Sequence, residues 1–422
     1  MRHILCASTA LVVLVGCASS GGSPPSADEK TPDVEPGSDG GVMSTGVDSG
    51  GSSGSGSGGL SGSGSGTGSD GGGNDVGNMP GSDGAAHHEG GVVTGDAGTP
   101  AGWLYTSGSK IYVSTGSGGT QWMGRGVNAD DIFFCGYDDT LWMSSPATTL
   151  QTLLDGLITG WKPSFIRLSL GMNSYPTVVS WLSNPSQYKT PMTSVIESIG
   201  THPGVYVLVT LRSDASMIGE DTASGDGEAT GLPSSATTTP NQTKFPTGTD
   251  PVYTALVDSF ANDPFVLFGL TNEPGGNTLS NSVLSAAMSH AVGTIRAEED
   301  RLGVPHHIVS VQGNGWTSDI SFYASSPLPY DNVVYEVHGY PPTTSSYTYA
   351  NIPVIIGEYG SLTDSASFYA DVESKQIPNL AWDFEPYSDC TPDLLNVNQS
   401  STSLSPTTWG TTVQAYLGAH AP

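Results

Sequence analysis

Between residues 103 and 422 the chain alternates short apolar runs with longer amphipathic stretches. Apolar runs at 123–128, 165–170, 206–211, 266–272, 308–314, 333–338, 354–360 and 380–384 each end in polar residues and read as eight strands. The first five begin about forty to sixty residues apart, and helical patterns fill the intervals. Leu150, Leu153, Leu154, Leu157 and Ile158 form one such stripe, and Val283, Leu284, Ala287, Met288 and Ala291 another. Continuous apolar strands alternating with helices predict a parallel sheet covered by helices, and eight such units in one domain predict a (β/α)8 TIM barrel. A doubly wound open sheet is the structural rival, but no Gly-x-Gly-x-x-Gly follows the first strand. The last three connections are short, with room for one or two helical turns each, whereas 213–250 is a long polar stretch. On a barrel that stretch would rise from the catalytic face, either as the wall of a groove or as a loose insertion. Ahead of the first strand, Trp103-Leu104-Tyr105, Lys110-Ile111-Tyr112-Val113 and Gln121-Trp122 predict a small N-terminal hairpin.

Composition divides the chain unevenly. Residues 17–102 are dominated by Gly, Ser, Asp, Thr and Pro and cannot bury a core, so they read as a disordered tether ahead of a catalytic domain at 103–422. Residues 1–16 read as an export signal: a basic start, an apolar run from Ile4 to Leu14 too short to span a bilayer, and small residues before Cys17. Leu14-Val15-Gly16-Cys17 resembles the bacterial lipoprotein lipobox, which implies lipidation of Cys17; an ordinary signal peptide with a chance cysteine is the alternative. A flexible tether of that length would reach roughly 50 Å from a membrane. With Ala18 and Ser19 after the cysteine, the expected location is the outer membrane or cell surface.

A net charge of −28 excludes nucleic acid as a partner and leaves neutral polymers compatible. In an exported protein Cys135 and Cys390 default to a disulfide, with two buried thiols as the alternative. On a barrel they follow the first and last strands, which are neighbours where it closes. The chain is expected to act as a monomer without cofactor or metal. The pair His87-His88 and the acids Asp130, Asp131, Asp138 and Asp139 are weak metal signals, the acids reading as solvated loop residues. His306-His307 lies at the opposite end of the barrel and reads as structural.

Barrel enzymes carry their chemistry at the carboxyl ends of strands, and here those ends hold Asn128, Arg167, Asn272, Glu273, His338, Glu358 and Trp382. Ionisable groups at buried strand tips are costly unless they have work to do. Two glutamates, on the fourth and seventh strands, would face each other across the barrel mouth. Cleavage of a glycosidic bond needs such a pair, one carboxyl to protonate the leaving oxygen and one carboxylate across the sugar.

These motifs resemble glycoside hydrolase family 5, the endoglucanase and mannanase family of retaining (β/α)8 enzymes, over nearly all of 103–422. Asn272-Glu273-Pro274 matches the acid/base motif, and Glu358 in Ile356-Gly357-Glu358-Tyr359-Gly360 matches the nucleophile motif. Gly126-Val127-Asn128 is similar to the family's first strand, and Arg167 falls where the family keeps an arginine near the nucleophile. The resemblance implies that Tyr340, in Val337-His338-Gly339-Tyr340, hydrogen-bonds the nucleophile, that Trp382 stacks on the sugar and that Asn272 binds its 2-hydroxyl. Arg212 departs from the family, which usually ends the third strand in histidine; it either meets the sugar differently or pairs with a carboxylate such as Asp214. Trp316 is a further sugar platform or a core residue. The implied activity is retaining, endo-acting hydrolysis of a neutral β-linked polysaccharide, a glucan first and a mannan next. The alternatives are an exo-acting member of the same family and a non-catalytic carbohydrate-binding lipoprotein. A solute-binding lipoprotein would need two lobes, which the spacing does not provide.

Overall fold

The computed structural model describes residues 102–131, 146–170, 181, 185–186, 188–211, 245–274, 280–360, 362–385, 392–396 and 404–422. The leader, the tether with Cys17, and Cys135, Arg212, Asp214 and Cys390 lie outside the described residues.

Eight parallel strands close into a barrel: β4 (Arg125–Asp130), β5 (Phe165–Leu170), β6 (Tyr206–Leu211), β7 (Val266–Gly269), β8 (Val309–Gln312), β9 (Val333–Gly339), β10 (Val354–Tyr359) and β11 (Asn379–Ala381). The eight strands expected from the apolar runs are all present, and pairing of Asn379 with Arg125 and Ala381 with Val127 closes the ring.

Alternation along each strand builds two separate cores. Outward residues such as Ile166, Leu168, Val207, Val209, Val337 and Ile356 pack under the helices. Inward residues at the amino ends, among them Phe165, Leu208, Leu267, Val334, Ile355 and Leu380, fill the lower lumen. Further along the same strands the inward positions turn polar: Asn128, Arg167, Ser310, Glu336 and His338 are all buried. The barrel is therefore oily at its floor and charged at its mouth.

The N-terminal segment closes that floor. It is a three-stranded antiparallel sheet, β1 (Leu104–Ser107), β2 (Lys110–Ser114) and β3 (Gly119–Gln121), one strand more than the expected hairpin. The third strand is short and wholly exposed, and it ends at Gln121 of the segment Gln121-Trp122. Leu104, Ile111 and Trp122 join the lower lumen core, with Trp122 edge-on to Phe165 at 5.0 Å between ring centres. His307 sits at the same end, hydrogen-bonded to the buried Glu299 at 2.8 Å and packed on Trp103, in keeping with a structural role.

Helices cover the outside as their stripes predict. Pro146–Trp161 buries Leu150, Leu153, Leu154 and Leu157, and Asn281–Leu302 is bounded by Ser280, whose hydroxyl caps Val283, and by left-handed Gly303. Two expectations are corrected. Helix Phe245–Phe260 begins inside the stretch read as loop, because the buried set Val252, Tyr253, Leu256, Val257 and Phe260 draws its first turns along. The connection from β10 to β11 holds an 11-residue helix, Ser365–Lys375, beyond the expected one or two turns. It fits because Asp364 caps its start and Gln376 ends it in the left-handed region, only three residues before Asn379.

Closure of the barrel demands a bare backbone at Gly126. A Cβ there would stand 1.5 Å from the carbonyl oxygen of Phe165 on the neighbouring strand. Backbone cannot yield as a side chain can, so Gly126→Ala should destabilise the fold by about 3 kcal/mol. Urea unfolding measures this, and a midpoint equal to wild type would show that the strands tolerate the methyl group.

Candidate active site

The mouth of the barrel is organised by one buried cation. Arg167, fully buried, donates from Nη1 to Glu358 Oε1 at 2.7 Å and to Asn128 Oδ1 at 2.9 Å, and from Nη2 to Asn272 Oδ1 at 2.6 Å. Its Nε lies 2.9 Å from Glu336 Oε1. One inward position on β5 thus reaches side chains from β4, β9, β10 and the end of β7. Removing one partner from a buried ion pair of this kind costs about 3–5 kcal/mol, because the other charge is left stranded.

Glu358 reaches the lumen through an irregularity in β10. Strict alternation from the lumen residue Ile355 would turn Gly357 inward and Glu358 out. Instead the pairing with β9 slips between Ile356 and Glu358, so that Glu358 pairs with His338 and Tyr359 returns to the outer core. Gly357 makes the slip possible, since a Cβ there would lie 2.0 Å from Glu336 Oε1. Its carbonyl in turn accepts from Asn128 Nδ2 at 2.9 Å. Tyr340, 41% exposed at the rim, donates from its hydroxyl to Glu358 Oε2 at 2.7 Å.

Glu273 is held from a different direction. Its backbone is left-handed, φ 45°, an uncommon conformation for a residue with a side chain. The Gln312 side chain from β8 supports it, accepting from Glu273 N at 2.5 Å and from the Thr317 hydroxyl at 3.1 Å. The Glu273 carboxylate meets His338, whose Nδ1 stands 2.7 Å from Oε1. The opposite ring nitrogen, Nε2, stands 2.9 Å from Glu336 Oε1.

Burial favours neutral imidazole at His338, but Glu358, Glu273 and Glu336 together outweigh it and push its pKa up to about 10. Burial likewise works against a charged Glu336, yet the Arg167 charge with hydrogen bonds from His338 and Ser310 holds its carboxyl down at about 2. Relative to an unfolded chain, Glu336 favours folding above the ordinary carboxylate range and loses that contribution as pH falls toward 2. His338 favours folding below the ordinary imidazole range, and its contribution fades as pH rises toward 10. Both groups are charged throughout the interval between.

One oxygen each of Glu273 and Glu358 and a nitrogen of His338 lie within 4.8 Å of one another, close enough in principle to hold a metal ion. Both nitrogens of His338 are already engaged, Nδ1 at 2.7 Å from Glu273 and Nε2 at 2.9 Å from Glu336. The arrangement suits a substrate atom between two carboxyl groups instead.

The structure brings Asn128, Arg167, Asn272, Glu273, His338, Tyr340 and Glu358 into this one network. Trp316 stands at the same face in the turn after β8, 37% exposed, so it is not a core residue. The turn is anchored by His338 N, which donates to Thr317 O at 3.0 Å. Trp382 follows β11 with little of its surface exposed, and its carbonyl accepts from Trp409 Nε1 at 3.0 Å. Asp130 and Asp131, expected in solvent, are fully buried; Asp131 accepts from the Tyr188 hydroxyl at the end of the barrel wall. Glu336, Ser310 and Gln312 were not expected from the motifs. Their signal is period two: Glu336 and His338, or Ser310 and Gln312, share the lumen side of an otherwise apolar strand.

Comparison with known proteins agrees with this geometry. The family model described as cellulase (glycosyl hydrolase family 5) matches residues 124–388. Endoglucanase N of Pectobacterium atrosepticum is 23% identical over 144 residues, a match that spans 34% of this chain and only 30% of that relative's length. Among solved structures, the catalytic domain of an endoglucanase from Thermobifida fusca in complex with cellotetraose superposes with a TM-score of 0.53 at 18% identity, covering 76% of this chain and 100% of that one. A mannohexaose complex of a β-mannanase from Thermomonospora fusca gives 0.51 at 16% identity, covering 76% and 97%. Identities this low speak for the fold alone, whereas the family match takes in well over half of the chain. The chain belongs to glycosyl hydrolase family 5 and is a glycoside hydrolase.

Proposed function

We propose that this protein is a retaining, endo-acting β-glycanase that hydrolyses internal bonds of a neutral β-linked polysaccharide by double displacement. The observation that carries the reading is the separation of the two carboxylates, whose nearest oxygens lie within 4.8 Å. Retaining enzymes hold their carboxyl groups about 5–5.5 Å apart, and inverting enzymes leave a wider gap for water.

In this reading Glu358 is the nucleophile. Arg167 and Tyr340 each hold one of its oxygens at 2.7 Å, which fixes the carboxylate for attack. Attack forms an ester between Glu358 and the anomeric carbon as the glycosidic C–O bond breaks. Glu273 gives its proton to the leaving oxygen, then as a carboxylate takes one from the water that cleaves the ester. Asn272, its Oδ1 fixed by Arg167 at 2.6 Å, is assigned to the sugar 2-hydroxyl, and Trp382 and Trp316 to flanking sugars.

A glucan is the first candidate substrate and a mannan the second. The endoglucanase relative and the cellotetraose complex favour glucan, and the mannohexaose complex keeps mannan in view. The lipobox-like Leu14-Val15-Gly16-Cys17 and the polar stretch after it support a lipid-anchored enzyme acting at the cell surface on the end of a tether.

Glu358→Gln should cut turnover of β-glycans by ~10⁴-fold with the fold intact by circular dichroism. Activity within tenfold of wild type would remove Glu358 from the nucleophile role. Glu273→Ala should lose ~10²–10⁴-fold on polysaccharide, and azide should restore turnover of aryl glycosides with good leaving groups. A variant that azide leaves inactive would count against Glu273 as acid/base.

A further inference from the structure

Glu336 has no part in the chemistry just described, yet it is fully buried at the centre of the charged layer. Its Oε1 lies 2.9 Å from Arg167 Nε and 2.9 Å from His338 Nε2, and its Oε2 accepts from the Ser310 hydroxyl at 2.6 Å. Behind it the β10 backbone is bare at Gly357, where a Cβ would collide with the Glu336 carboxylate. The protein has shaped the neighbouring strand around this side chain. A packing role would not require a charge, and a lone charge in the lumen would be costly.

We propose that Glu336 is a positioning residue of the reaction, the fixed counter-charge that keeps His338 cationic against Glu273 while steering Arg167 onto Glu358. The proposal rests on the roles of Glu273 and Glu358 given above. Before the first step, with Glu273 protonated, the cations Arg167 and His338 face the anions Glu336 and Glu358. The step forms the Glu358 ester, breaks the glycosidic C–O bond and sends the Glu273 proton to the leaving oxygen. Glu358 is then neutral and Glu273 negative, so two cations again face two anions. Negative charge passes from one catalytic glutamate to the other, and the buried layer stays neutral because Glu336 does not take part. Without Glu336 both states would carry an excess positive charge. His338, with a ring nitrogen already beside the lost carboxylate, is placed to release it by giving up a proton.

The groups facing His338 are Glu273 after β7, Glu358 on β10 and Glu336 on its own strand, with Arg167 of β5 and Tyr340 behind the carboxylates. Burial opposes a charge on the ring, and these carboxylates overcome it.

Nitrogen-15 NMR on the full chain, with the His338 signals assigned by their loss in His338→Gln, tests the proposal. In the wild-type protein both ring nitrogens should stay protonated at pH 7.5. In Glu336→Gln the His338 titration should move down by about 1–3 pH units. The pH profile of kcat/KM should gain the same ionisation. A neutral His338 in wild-type protein at pH 7.5 would overturn the proposal even if the variant failed to fold. So would a Glu336→Gln variant whose His338 titration is unmoved and whose pH profile is only scaled down. The NMR reading needs no turnover, so a failure of the retaining mechanism would show in the products and leave this result distinguishable.

Discussion

Arg167 has no access to water, and a guanidinium cannot shed its charge to escape burial. Its charge has to be met inside the barrel, and meeting it fixes most of the mouth. Glu336 faces Nε, Glu358 and Asn128 share Nη1, and Asn272 takes Nη2. These partners come from β4, β9, β10 and the end of β7, so a single side chain ties five parts of the ring to one another. A carboxylate held this way cannot swing, and a reaction that used it would need no reorganisation to place it.

The same constraint explains the division of the lumen. Leu104, Ile111 and Trp122 seal the amino end over Phe165, Leu208 and Leu267, which gives the charged layer a dry floor. Above that floor the polar groups around Arg167 hold one another. Asn128 bridges Arg167 and the Gly357 carbonyl, Ser310 supports Glu336, and Gln312 holds the backbone of Glu273 in an uncommon conformation. The slip in β10 belongs to this economy of space, turning Glu358 inward past a residue that has no side chain to turn.

Much of this was legible in the residues. The eight strands showed because most are apolar on both faces at the amino end and polar where they leave the sheet. The two glutamates, Arg167, His338 and Tyr340 showed because motif and strand position agree. What escaped has physical causes. Glu336 lies one inward step below His338, and a reading that looked only at strand tips passed over it. The inward turn of Glu358 depends on a change of register that no local pattern announces. Strand β3 is exposed on every residue, and only Gln121-Trp122 at its end marked it. His338 was legible as a site residue, but its place between Glu273 and Glu336 depends on how β9 meets the end of β7, which is a property of the closed ring.

The central claim is that two carboxylates this close act by double displacement. Proton NMR of the products first formed from a β-glucan or β-mannan, recorded before the new reducing ends equilibrate, tests it most directly. The account predicts that the β-anomer forms first and drifts toward the equilibrium mixture. An α-anomer formed first would contradict it.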